Sequence, residues 1–178
     1  MLTLGHILEA LTGYQPTGGE PAVATFVVDS REAGPGSVFV AFAGDRADGH
    51  AFVADAFARG AIAALVERAP GGDWPMIDAR QPEEVPGSRG QVPGKSALPL
   101  EPGPWNLAPS SRPVVILVDD TLRALQALAR VWRARFDTRV IGITGSVGKT
   151  STKELTAAVL ARRYRTLKSV GNQNNEIG

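Results

Sequence analysis

The richest run of chemistry in this chain is Gly145-Ser146-Val147-Gly148-Lys149-Thr150-Ser151. A glycine loop that leads into a helix aims several backbone N–H groups, and the positive end of the helix dipole, at one point where an anion belongs. Gly145 and Gly148 let the backbone approach phosphate oxygens closely, because no Cβ stands in the way. Lys149 adds a mobile positive charge for terminal phosphates, and the Thr150 hydroxyl suits a magnesium ion. The run is therefore a candidate mononucleotide phosphate site, with Lys149 as its catalytic cation and Thr150 as its metal ligand. The long form of such loops has a further glycine five residues before Gly148, where this chain has Ile143, so the match is to the shorter Gly-x-x-Gly-Lys-Thr form. An incidental glycine turn with a solvated lysine is the alternative. The apolar run before the loop and the helical run after it argue against that.

Three other groups could meet a ligand. Asp29-Ser30-Arg31 follows a strand-like run, although Asp-Ser is also good turn chemistry and Arg31 could simply pair with Asp29 or Glu32. Asp48-Gly49-His50 precedes a helical run and reads as a turn with an N-terminal cap rather than a catalytic pair. Asn172, Asn174 and Asn175 could bind substrate or supply left-handed turns. His6, on a short amphipathic stretch, reads as a surface or partly packed residue.

The elements that must carry these residues follow from apolar periodicity. Leu4, Ile7, Leu8 and Leu11 share one helical face before Gly13. Thr25 to Asp29 and Ser37 to Phe42 read as strands, His50 to Arg59 as a helix, and Ala61 to Val66 and Pro113 to Val118 as further strands. Asp119-Asp120-Thr121 then opens a long amphipathic helix bearing Leu122, Leu125, Leu128 and Trp132. Arg139 to Thr144, Lys149 to Ala161 and Tyr164 to Lys168 read as strand, helix and strand around the glycine loop. The fold class is α/β. A small N-terminal α/β domain occupies residues 1–119, a connecting helix 120–137, and the start of a P-loop parallel-sheet domain 138–178. One βαβ unit cannot cover both faces of a parallel sheet, so the chain is expected to stop inside that second domain. Residues 79–112, dense in Pro, Gly and Ser, read as a loose surface insertion without assigned function. Trp105 within it marks either a tether to the domain's own surface or a partner contact.

Composition narrows the classes. With 178 residues, 43% hydrophobic and 21% charged, the chain can bury a core and does not read as a disordered tail. A net charge of +1 gives no strong pull towards nucleic acid or anionic lipid, although arginines gather after position 120. The absence of cysteine excludes disulfides and thiolate metal sites, leaving oxygen ligands for any metal. Neither a leader-like N-terminus nor a run of about 20 apolar residues is present. The expectation is a cytoplasmic chain with no nucleic-acid partner and no membrane insertion.

Ile143 to Glu154 resembles the ATP loop of the Mur ligase family, which builds the peptide of bacterial cell-wall precursors and whose loop also lacks the early glycine. Asp29-Ser30-Arg31, Pro35 to Gly44 and Asp48-Gly49-His50 are similar to the uridine-nucleotide-binding first domain of members that add the third residue or the terminal dipeptide. Gly171 to Gly178 is similar to the Asn-rich segment of the branch that adds D-alanyl-D-alanine. The resemblance implies ATP and Mg2+ as cofactors, with Gly145, Ser146, Val147, Gly148, Lys149, Thr150 and Ser151 on the ATP phosphates. It also implies Ser30, Arg31, Asn172, Asn174 and Asn175 as substrate-binding residues. The substrates would be UDP-N-acetylmuramoyl-tripeptide and D-alanyl-D-alanine, both small molecules, and the expected state is a monomer. In the family reaction a terminal carboxylate attacks the γ-phosphate to give an acyl phosphate, and an amine then displaces phosphate. Later central-domain and C-terminal positions of the family lie beyond Gly178, so the chain is not expected to turn over alone. The alternatives are a diamino-acid-adding or folylpolyglutamate-synthase-like ligase, a silent uridine-nucleotide-binding module, or an unrelated P-loop ATPase.

Overall fold

A computed structural model of the chain describes residues 1–44, 48–80 and 112–169. Trp105 and nearly all of the 79–112 insertion lie outside the described residues, as do Asn172, Asn174 and Asn175. The polypeptide divides into two compact units, Met1–Arg135 and Phe136–Gly178.

The first unit is built on five parallel strands: β1 (Thr25–Val27), β2 (Ser37–Val40), β3 (Ala63–Val66), β4 (Met76–Asp78) and β5 (Val114–Leu117). They lie in the order β1-β2-β3-β5-β4. Every residue of β2, β3 and β5 is buried, whereas the edge strands β1 and β4 are buried at single positions. Continuous Val, Ile, Leu and Ala runs suit central strands of this kind, because helices or loops cover both faces of a parallel sheet.

One face packs against α1 (Leu4–Thr12) and α3 (Thr121–Ala134). Leu4, Ile7 and Leu8 of α1, with Ala124 and Leu128 of α3, enclose Val38, Val40, Leu65 and Ile116. Each such fully buried aliphatic side chain contributes roughly 1.5–3 kcal/mol of transfer free energy, so their spacing on one stripe is what holds the helices down. The helix that the sequence sets apart as a connector thus supplies core residues to the first unit. Asp120 caps α3 by accepting from the Arg123 N–H at 2.8 Å.

The other face packs against α2 (Val53–Ala58), whose Val53, Ala56 and Phe57 meet Phe39, Ala64, Val66 and Val115. Trp74, on the β3–β4 connection, sets its ring edge-on to Phe57 with centroids 4.9 Å apart.

In the second unit, α4 (Lys149–Ala161) forms where the sequence places it, but none of its residues is buried. The expected strands at 139–144 and 164–168 are not formed. A strand exists only by pairing, and among the described residues neither segment has a ladder partner. Val140, Ile141 and Leu167 are correspondingly exposed. The segment after α4 is tied back by Lys153 Nζ, which donates to the Ser169 carbonyl at 2.9 Å, and by a Lys168–Glu154 ion pair. Lys168 holds the Glu154 carboxyl below its ordinary range.

Candidate functional site

The glycine loop opens α4 with Gly148 as N-cap at φ 79°, ψ 0°, in the left-handed region that favours glycine. The Thr152 N–H is the first to bond back into the helix, to the Gly148 carbonyl at 2.9 Å. The amides of Lys149, Thr150 and Ser151 precede that bond, and helix geometry leaves such amides without an intrahelical acceptor. The first turn of α4 contains no acidic side chain that would compete for these donors. Nothing lies within 4 Å of the place a Cβ would take at Gly148, so space is open above the turn. Lys149 Nζ reaches back to donate to the Gly145 carbonyl at 2.5 Å, placing its charge over the loop. Ser146 and Val147 form the exposed tip of the loop.

These residues suit a nucleoside triphosphate: first-turn amides, a dipole end and a mobile ammonium lie together at the start of α4. They also fit magnesium in its usual protein mode, in which one or two protein oxygens supplement phosphate oxygens and water. Thr150, exposed on the first turn, is the available hydroxyl. Among the described residues no group of three or more His, Asp or Glu could hold a metal independently of phosphate.

In the first unit the parallel strands bring several chemically active segments to their carboxyl ends, the side of such sheets where ligands bind. After β1, Asp29 accepts from the Arg31 N–H at 3.0 Å and caps a 3-10 turn over Ser30–Glu32. Arg31 pairs with the same carboxylate, Nη2 to Oδ2 at 2.5 Å, while 81% of its side chain remains exposed. The Arg31 guanidinium holds the Asp29 carboxyl down at about 2. Ser30 is buried, and it and Arg59 together hold the carboxyl of Asp55, on α2, below its ordinary range. The two candidate substrate residues thus differ: Ser30 is buried, and Arg31 stays at the surface in its local ion pair. Asp55, whose titration Ser30 influences, carried no sequence signal, because a helical carboxylate three residues into an amphipathic run looks like ordinary solvated surface.

After β2 the chain turns back, and the Gly49 N–H donates to the Phe42 carbonyl at 2.9 Å. A Cβ at Gly49 would stand 2.8 Å from that oxygen and 2.9 Å from the Phe42 nitrogen, so only glycine fits. Asp48 caps the following 3-10 turn, Gly49–Phe52, as the turn-and-cap reading expects. His50 is buried, with Nδ1 2.6 Å from Asp48 Oδ1 and Nε2 3.0 Å from the Glu67 backbone nitrogen. A backbone N–H can only donate, so Nε2 is the acceptor and Nδ1 carries the proton. Burial pushes the His50 pKa down, which favours this neutral form. With both nitrogens occupied, His50 is not placed to take a proton from a substrate. Arg68 also pairs with Asp48.

Glu67, at the end of β3, turns its carboxylate to the start of α3. Its Oε1 accepts from the Thr121 N–H at 2.9 Å and from the Thr121 hydroxyl at 2.8 Å. Sequence reading missed this contact, since the partners are 54 residues apart. His6 accepts the Thr3 N–H on Nδ1 at 3.0 Å and lies edge-on to Trp132, as a packed residue of the α1–α3 face. Among the described residues no helix is long and apolar enough to cross a membrane.

Comparison with known proteins places both sites in one context. Residues 23–93 match the Mur ligase family catalytic domain, and residues 143–178 match the Mur ligase middle domain. The chain is 35% identical, over 178 residues, to the UDP-N-acetylmuramoyl-tripeptide–D-alanyl-D-alanine ligase of Bacillus subtilis (strain 168). That alignment covers 99% of this chain and 31% of the relative. It is 32% identical to the Escherichia coli (strain K12) enzyme of the same name, covering 99% of this chain and 30% of the relative. Among solved structures it is similar to MurF from Acinetobacter baumannii, with a TM-score of 0.66, 29% identity, and coverage of 98% of this chain and 30% of that one. It is also similar to MurF ligase from Thermotoga maritima in complex with ADP, with a TM-score of 0.59, 30% identity, and coverage of 96% and 28%. The chain thus spans under a third of the length of these relatives. Two domain matches in succession, a glycine loop that opens a helix in the second, and relatives that align along almost the whole chain have one common reading: the chain belongs to the Mur ligase family.

Proposed function

We propose that this chain is the uridine-nucleotide-binding domain and ATP loop of a ligase that joins D-alanyl-D-alanine to UDP-N-acetylmuramoyl-tripeptide in the cytoplasm. The observation that carries the reading is the Gly148 turn into α4, with uncommitted amides and Lys149 over one space, in a chain whose aligned relatives bear that ligase name. Ser30 and Arg31, at the carboxyl ends of the first unit's strands, serve the uridine diphosphate end of the substrate. Asn172, Asn174 and Asn175 bind substrate, as their likeness to the Asn-rich segment of the D-alanyl-D-alanine-adding branch implies. The domain boundaries, 1–119 for substrate, 120–137 for the linking helix and 138–178 for the ATP loop, are part of this proposal, as is action by a monomer.

The chemistry joins two anions, the tripeptide carboxylate and the γ-phosphate. ATP supplies the phosphoryl group that activates the carboxylate, and Mg2+ neutralises phosphate charge. The residues of this chain hold and compensate. Lys149, now on the Gly145 carbonyl, would hold the terminal phosphates, the N–H groups of Lys149 to Ser151 would donate to the phosphate oxygens, and the Thr150 hydroxyl would be the protein oxygen offered to Mg2+. Electrostatic stabilisation of this kind provides most of the acceleration in phosphoryl transfer. The test is phosphate release by the ligase spanning the full length of its relatives. Release that requires ATP, UDP-N-acetylmuramoyl-tripeptide and D-alanyl-D-alanine together supports the reading. Release with meso-diaminopimelate or glutamate as acceptor instead, or without any uridine nucleotide, rejects it.

A further inference from the structure

His50 has the appearance of half a catalytic dyad and the wiring of a joint. Its Nδ1 is 2.6 Å from Asp48 and its Nε2 accepts the Glu67 N–H at 3.0 Å. These bonds connect the turn after β2 to the end of β3. Arg68 grips the same Asp48 from the residue after Glu67, and Glu67 in turn holds the first residue of α3. The 3-10 turn that contains His50 runs without interruption into α2. α2 in turn packs against the 3-10 turn over Ser30–Glu32, where Ser30 helps to hold the Asp55 carboxyl below its ordinary range. A continuous path therefore leads from the Glu67 amide through His50 and α2 to the turn that carries Ser30 and Arg31. Neither His50 nor Ser30 is exposed, and no buried side-chain polar atom among the described residues lacks a partner. The His50 end of this path is buried with both ring nitrogens paired, which fixes the geometry of the turn there.

We propose that His50 is a positioning residue for uridine-nucleotide binding: by bridging Asp48 and the Glu67 amide it sets the start of α2, and through the packing of α2 on the Ser30–Glu32 turn it sets Ser30 and Arg31. This rests on the nucleotide reading of the carboxyl-end site. The role is one of geometry, without contact to ligand, and it needs the neutral ring with its proton on Nδ1.

The test is calorimetric titration of UDP-N-acetylmuramoyl-tripeptide into the unsubstituted chain, His50→Gln and His50→Asn, with the melting temperature of each. Gln can place an oxygen for the Glu67 N–H but no donor at Asp48. Asn can keep a donor at Asp48 but no acceptor for Glu67. Both variants are expected to weaken binding about tenfold, as befits a lost buried hydrogen bond in the supporting shell. A control in the opposite core, Leu8→Val, is expected to lower the melting temperature with the dissociation constant unchanged. Unchanged affinity in both His50 variants overturns the proposal. If the variants do not fold, the unsubstituted chain decides: the His50 Nε2 and Glu67 amide resonances should shift at saturating ligand, and fixed resonances overturn it equally. No binding by the unsubstituted chain rejects the nucleotide reading itself, and this inference with it.

Discussion

Gly5 and Glu20 are in such close register that a Cβ on Gly5 would stand 2.6 Å from Glu20 Cδ and 2.9 Å from Oε2. The carboxylate cannot swing clear, because Thr17 donates to it from backbone and hydroxyl at 2.5 and 2.9 Å and the Gly18 N–H at 3.1 Å. In an open helix, Gly→Ala stabilises by about 1 kcal/mol. Here the overlap dominates, and Gly5→Ala should lose about 1–3 kcal/mol in urea denaturation. A midpoint equal to or above that of the unsubstituted chain would show that the α1–Glu20 contact is loose.

Glu20 also gives the first unit an acid-sensitive element. Burial alone would raise its pKa, but the bonds from Thr17 and Gly18 outweigh it and bring the value down to about 2 from 4.5. A carboxyl depressed on folding contributes its full stability above the ordinary value and loses it as pH falls from 4.5 towards 2. The contribution is up to about 3 kcal/mol. Glu20→Gln should flatten the dependence of stability on pH across that window. Parallel curves for the two proteins would remove Glu20 from the account.

Arg31 separates the ligand reading from the local ion-pair reading. Its pair with Asp29 is at the surface, and such pairs add little to stability. Arg31→Ala should therefore leave the melting temperature unchanged while weakening UDP-N-acetylmuramoyl-tripeptide binding about tenfold. Unchanged affinity would leave Arg31 as a turn residue.

Lys149 rests on a loop carbonyl rather than in a core. In the ligase spanning the full length of its relatives, Lys149→Ala should lower kcat at least ~10²-fold without moving the unfolding midpoint. Turnover close to that of the unsubstituted enzyme would take Lys149 out of the phosphate site.

The elements legible in the sequence are those whose signal is local. α4 and the buried runs of β2, β3 and β5 emerge from periodicity and β-branched content, and Gly148 announces the turn into α4. β4 escaped notice because Met76–Asp78 is too short for any period to register. The runs at 139–144 and 164–168 have strand composition without strand structure, since pairing depends on neighbours that composition does not encode. The same distance problem hides the site's supports. Glu67 beneath Thr121 is an ordinary acidic residue until the fold sets it against its partner.

The Glu67–Thr121 clasp makes the carboxyl rim of the sheet lopsided. At the β3–β5 side the first turn of α3, a natural berth for a phosphate, already has a resident anion in Glu67. At the β1 side Arg31 extends into solvent. On the nucleotide reading proposed above, an incoming diphosphate would find the first turn of α3 occupied and would meet Arg31, with its Asp29 partner, at the other flank. Neutralising the resident charge with Glu67→Gln would make the two flanks more alike, and the register of a bound nucleotide would lose part of its definition.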